Sequence, residues 1–214
     1  MSKANENIYA ELRRRIMAGR YDPGQQLKEE ALASELGVSR TPVRAALRRL
    51  VADGMLEAKA NRGAFVAQWT DRDIDEVINL RCTLESEAAS LAAKRAQAEQ
   101  VKELKNLNQR MHALARGLTS AKIAELQRLN NSFHQRILAA AGSPRLTAAT
   151  RALIDWPLMV GSFYVFSEAD IRRSIQYHDD LVLAFEANDS AMARSVMEAH
   201  LRRSNLSYRK RRKA

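Results

Sequence analysis

The chain has 214 residues, an apolar fraction of 46% and a formal net charge of +10, which describes an ordinary soluble globular protein with room for one large domain or two small ones. The longest apolar run, WPLMVGSFYVF from Trp156 to Phe166, is too short to span a bilayer and is broken by Pro157 and Gly161, and no signal-peptide core opens the chain, so neither membrane insertion nor export is expected. The single cysteine, Cys82, has no internal disulfide partner, and the expected compartment is the reducing cytoplasm, with Cys82 a small core residue.

The charge is uneven. Residues 1–70 carry a net +4, residues 71–201 a net −1 and residues 202–214 a net +7. A basic excess at the ends favours a polyanionic partner through counterion release, nucleic acid first among them.

In chain order, Ile8, Leu12 and Ile16 recur every four residues and predict a helix, ended by Gly19 and the turn Asp22-Pro23-Gly24. A short second helix starts near Lys28 and buries Leu32 and Leu36 before Gly37. Ser39 can cap a third helix running to about Asp53. Residues 55–59 and 64–68 read as two strands around Asn61-Arg62-Gly63, a hairpin signal. Thr70 or Asp71 can cap a long helix through Val77, Leu80, Leu84, Ala88 and Leu91. Further helices are expected over residues 98–118, 121–141, 145–160, 168–187 and 191–208, with Ser167 and Asp170 forming a capping box. The fold class is therefore mainly α: a helix-turn-helix with a hairpin wing over residues 1–69, an all-helical bundle of about six helices over residues 70–208, and a solvated basic tail over residues 209–214.

Helix-turn-helix geometry needs a small residue where two helices touch, a glycine in the turn and a branched apolar residue on the second helix, and Ala33, Gly37 and Val43 supply them. A helical wheel then sets Arg40, Thr41, Arg44 and Arg48 on a stripe about 130° from the face of Val43, Ala46, Leu47 and Leu50. Such a helix can pack on one side and enter a major groove with the other, where arginine pairs bidentately with guanine. Arg62 and Gly63 at the hairpin tip are placed to follow the adjacent backbone or minor groove, and Arg49 is left to solvent.

Residues 27–66, with the core SRTPVR and the wing RGAFV, resemble the winged helix-turn-helix of the GntR family of bacterial transcription regulators. The resemblance implies operator contacts from Arg40, Thr41 and Arg44 and places Gly63 at the wing tip, while Arg48 and Arg62 come from the wheel and the hairpin. Glu29-Glu30 stand where some members set an arginine against DNA, so that contact is expected to be absent.

Three of the four histidines fall at informative places. Asn130 and His134 are four apart on one helix face, and His178 and His200 are equidistant from the turn Asn188-Asp189, so an antiparallel hairpin brings them level. Three imidazoles and an amide oxygen suit zinc or nickel and leave positions open for water or a carboxylate. His112 reads as ordinary surface. NNSFHQRILAAAGSPRL and QYHDDLVLAFEANDSAMARSVMEAHL, with NLRCTLESEAASLAAKRA before them, resemble the FCD effector domain of FadR-like GntR regulators. That resemblance implies a divalent metal held by an aspartate and three histidines; Asn130 replaces the aspartate, which weakens the site. Arg81 is at a position where such domains aim an arginine at the effector cavity, or else it pairs with Glu85 one turn on.

These readings converge on a ligand-responsive regulator binding a palindromic double-stranded DNA operator as a homodimer and sensing a small organic acid. A metal-dependent hydrolase in the helical domain is the alternative, with Asp179 and Asp180 as the only obvious carboxylates. A helical domain serving dimerisation alone is the third reading.

Overall fold

The computed structural model describes residues 3–17, 20–60, 62–68, 70–154 and 166–212. The chain divides into two compact units, the first reaching Ile74 and the second beginning at Asp75.

In the first unit α1 (Lys3–Met17) is followed by β1 (Gln26–Leu27), α2 (Glu29–Leu36), α3 (Arg40–Ala52), β2 (Leu56–Lys59) and β3 (Gly63–Val66). The strands form an antiparallel sheet in the order β1-β3-β2, with Leu27 opposite Ala64 and Lys59 opposite Gly63. β1 has only two residues, too few for an alternating pattern to announce it in the sequence. Its place is fixed by pairing, and Gln26 also donates its amide Nε2–H to the Arg62 carbonyl at 2.5 Å.

The turn between α2 and α3 depends on glycine. Gly37 has φ +66°, and the Val38 N–H returns to the Ala33 carbonyl at 3.0 Å, which closes α2 with satisfied backbone groups. Ala33 and Val43 are both buried, with Val43 fully so, as the spacing of the helix-turn-helix predicts. Ser39 occupies the cap position of α3 with extended backbone, yet its hydroxyl makes no capping hydrogen bond, contrary to the sequence expectation. Around this pair Leu12, Leu32, Leu47, Leu50, Met55 and Val66 complete one apolar core. Arg49, expected in solvent, lies with its guanidinium 3.9 Å from the centre of the Tyr9 ring, and the Tyr9 hydroxyl donates to Asp53 at 2.6 Å. These contacts tie α1 to the end of α3.

The second unit holds α4 (Asp71–Arg95, its first turn lying in the first unit), α5 (Ala98–Leu114), α6 (Ser120–Ala140), α7 (Pro144–Ile154), α8 (Glu168–Glu186) and α9 (Ser190–Arg212). Thr70 caps α4 reciprocally with Asp73, and Ser167 with Asp170 forms the capping box read from the sequence. The helix expected over 145–160 ends at Ile154 among the described residues; its remainder and most of the apolar run from Trp156 fall outside them. The tail departs from expectation: α9 continues through it to Arg212, and Arg209 meets Asp75 at 2.6 Å. Among the described residues no helix is long and apolar enough to cross a membrane.

Packing predicts the response of α3 to truncation. Leu50→Ala, at a site with no exposed surface, lowers the unfolding free energy of the N-terminal unit by about 2–5 kcal/mol. Arg48→Ala on the exposed face changes it by less than about 0.5 kcal/mol. Urea denaturation followed by far-ultraviolet circular dichroism separates the two outcomes.

Candidate functional sites

On α3 the division of faces is complete: Val43, Ala46, Leu47 and Leu50 are buried, while Arg40, Thr41, Arg44 and Arg48 are exposed. Arg62 and Gly63 are exposed at the end of the β2–β3 hairpin, where Gly63 takes φ +84°. The Arg62 guanidinium lies 5.7 Å from the Phe65 ring.

The acidic pair at the start of α2 was read as a missing contact. It faces the recognition helix instead. Glu29 accepts from Arg44 Nε at 2.9 Å and from Arg44 Nη2 at 2.8 Å, and Glu30 accepts from Arg40 Nη1 at 2.7 Å. The Arg44 hydrogen bonds lead the effects that hold the Glu29 carboxyl below its ordinary range.

The second constellation lies inside the helical unit. α6 contributes His134, α8 contributes His178 and α9 contributes His200, all buried, and one nitrogen from each ring lies within 4.8 Å of the others. The turn at Asn188-Asp189, with Asp189 Oδ1 accepting from the Ala191 and Met192 amides, sets α8 and α9 antiparallel. The His178 and His200 ring centres are consequently 4.9 Å apart, the level pairing that their spacing predicts. Asn130, one turn before His134 on α6, has a buried Oδ1 with no hydrogen-bond partner among the described residues.

Sequence reasoning set Glu85 beside Arg81 but missed its bond to His134. On α4 it is buried at 2% exposure, its Oε1 accepts from Arg81 Nε at 2.6 Å and its Oε2 lies 2.7 Å from His134 Nδ1. A signal existed: Glu85 continues the buried stripe of Ile74, Ile78, Ala88, Ala89 and Ala92, where a lone carboxylate needs a partner. Arg81 thus forms the intrahelical pair, the second of its two expected roles. Burial raises the Glu85 carboxyl, but the Arg81 charge and the His134 hydrogen bond outweigh it and hold the group at about 2.

An ionised carboxylate is acceptor-only, so His134 donates Nδ1–H to Glu85 and turns Nε2 toward the other rings. There it meets His200 Nε2 at 3.3 Å. Neither ring nitrogen of His178, nor Nδ1 of His200, has a partner among the described residues. Desolvation, with the neighbouring imidazoles behind it, pushes His178 well below the usual histidine range and His200 to about 3.

His112 is exposed but not idle. Its Nε2 lies 2.9 Å from Asp179 Oδ2, and Asn108 donates to Asp179 Oδ1 at 2.6 Å, so this carboxylate is drawn to α5. Cys82 is buried, as expected.

The histidine shifts fix the sign of a pH dependence. In the unfolded chain these rings take protons below about pH 6.5, whereas folded His200 resists until about 3, so stability is complete above 6.5 and falls with pH below it. Each such ring costs up to about 1.4 kcal/mol per pH unit. Glu85 acts in a lower window, between 4.5 and about 2. The Tm of chelator-treated protein therefore falls between pH 7 and 5, with a shallower fall in His178→Phe; a flat Tm across that range contradicts the burial of neutral imidazoles.

With both sites described, the likeness to known proteins is specific. Residues 4–66 match the family described as bacterial regulatory proteins, gntR family, and residues 76–203 match the FCD domain. The chain is 30% identical over 186 residues to the probable D-xylose utilization operon transcriptional repressor of Paenarthrobacter nicotinovorans, covering 87% of this chain and 80% of that protein. It is 34% identical over 132 residues to the HTH-type transcriptional regulator YdhC of Bacillus subtilis (strain 168), covering 61% of this chain and 58% of YdhC. The solved structure of E. coli McbR/YncC has the same fold, with a TM-score of 0.77 at 23% identity over 98% of this chain and 99% of that one. The chain belongs to the gntR family of bacterial transcription regulators and carries a C-terminal FCD domain.

Proposed function

We propose that the protein is a cytoplasmic, ligand-responsive regulator that binds a palindromic DNA operator as a homodimer and senses a small organic acid at a divalent metal ion in its helical unit. Arg40, Thr41 and Arg44 make the operator contacts, Arg48 adds a phosphate contact, and Arg62 with Gly63 follows the neighbouring backbone or minor groove. The separation of exposed and buried faces on α3 supports this surface. A two-fold protein sets its recognition helices one helical turn apart on a two-fold site. An effector then regulates by its differential affinity for the arrangements of the DNA-binding units.

The sensing role rests on one observation: three buried imidazoles converge, and His178 has no partner for either nitrogen among the described residues. Burying polar nitrogens unpaired costs free energy, and a ligand shared by the three rings offsets it. His134, His178 and His200, with the neutral oxygen of Asn130, are the residues that would hold zinc or nickel, less tightly than a set containing a carboxylate. The bound ion would supply an electrophilic anchor for an effector carboxylate. Arg81 acts on this site through Glu85, which orients His134 much as carboxylates orient metal-binding histidines elsewhere.

The hydrolase alternative lacks support. Glu85, held at about 2 and bonded to both Arg81 and His134, is a poor general base, and Asp179 is engaged by His112 and Asn108. The matched relatives named above are transcription regulators.

Two measurements test the reading. Calorimetric titration of chelator-treated protein with zinc or nickel should give one ion per chain, lost in His178→Ala and weakened about 10- to 100-fold in Glu85→Gln; wild-type binding by His178→Ala contradicts it. For a duplex selected from a randomised pool by the full-length protein, Arg40→Ala should lower affinity by about 1–3 kcal/mol. An unchanged affinity removes Arg40 from the operator contacts.

A further inference from the structure

The Glu29 carboxylate lies beside two arginines of the recognition helix, and the way it holds them is unequal. Arg44 presents its side edge, with Nε 2.9 Å from Oε1 and 3.0 Å from Oε2, and Nη2 2.8 Å from Oε2. Arg40 approaches with its other end, Nη2 reaching Glu29 at 3.4 Å and Nη1 reaching Glu30 at 2.7 Å. A guanidinium has five N–H donors in a rigid plane. Arg44 spends Nε–H and one Nη2–H on Glu29, which leaves the paired outer edge of Nη1 and Nη2 without a partner among the described residues. The donor spacing of that edge matches O6 and N7 of guanine.

Charge gives the same arrangement a second consequence. Arg40 and Arg44 bring two positive charges and Glu29 with Glu30 two negative ones, so the start of the recognition helix is close to neutral. Neutralised arginines attract phosphate weakly at long range while keeping their hydrogen-bond geometry, which favours selective over indiscriminate binding.

Resting on the DNA-binding reading above, we propose that Glu29 is a specificity-determining residue: it fixes the Arg44 guanidinium side-on so that its outer edge reads a guanine, and it suppresses sequence-independent phosphate binding. Glu29 touches no DNA in this role. It is a positioning residue acting through Arg44. Its partly exposed place at the start of α2, outside the apolar core, lets it be replaced without unfolding the unit.

The test uses full-length wild type, Glu29→Gln and Arg44→Gln, with fluorescence anisotropy on a duplex selected from a randomised pool and on a scrambled duplex of the same composition, at several salt concentrations. For Glu29→Gln the scrambled duplex should gain affinity, with the slope of log K against log salt steeper by roughly 0.9. The ratio of selected to scrambled affinity should fall at least roughly fivefold. Equal strengthening of both duplexes overturns the positioning role, and no change in either overturns the proposal whole. If Arg44→Gln keeps the wild-type preference, the DNA reading of α3 itself fails; if only Glu29→Gln keeps it, the role of Glu29 alone is lost.

Discussion

A carboxylate inside an apolar helical bundle is the constraint around which the second unit is arranged. Glu85 is 2% exposed, and taking an ion of that size out of water costs several kcal/mol unless other groups repay it. Arg81 and His134 repay it from two directions, one on the same helix and one on α6. Removing either partner leaves a buried charge uncompensated, the situation in which buried pairs become strongly destabilising. The arrangement also decides chemistry, because fixing the Nδ1 proton of His134 on Glu85 directs its Nε2 at His200. The histidine cluster is thereby pre-oriented by a bond formed outside it.

The two units use charge in opposite ways. In the helical unit a buried ion pair is retained at an energetic cost and orients a polar cluster. In the first unit Glu29 and Glu30 answer two exposed arginines, where each pair contributes little to stability and its effect falls on geometry and on long-range attraction. The excess of positive charge in residues 1–70 is therefore not concentrated at the start of the recognition helix. Arg48 and Arg62, for which no acidic partner is described, carry more of it.

Much of this was legible in the chain because backbone demands leave strong marks. Ala33, Gly37 and Val43 announced the helix-turn-helix, since only a small residue, a left-handed turn and a branched anchor satisfy that crossing, and all three are where the spacing puts them. His178 and His200 were paired by equal distances from one turn, which needs only helical rise. What stayed hidden was side-chain partnership across elements. The partner of Glu85 on α6 lies 49 residues away, and that of Arg44 on α2 lies 15 away, so neither follows from local periodicity. β1 was invisible for the same reason, being defined by its pairing alone. The order of the basic tail was misread from composition: its charges suggested a solvated, disordered end, but a helix continues through Arg209, which has Asp75 to meet.

The central claim is that His134, His178 and His200 form one divalent-metal centre oriented by Glu85. X-ray absorption at the zinc or nickel edge of the loaded full-length protein tests it most directly. Three imidazole nitrogens at about 2.0–2.1 Å are expected, with the imidazole signature reduced in His178→Ala. A metal environment without imidazole scattering, or one identical in wild type and His178→Ala, would contradict the account.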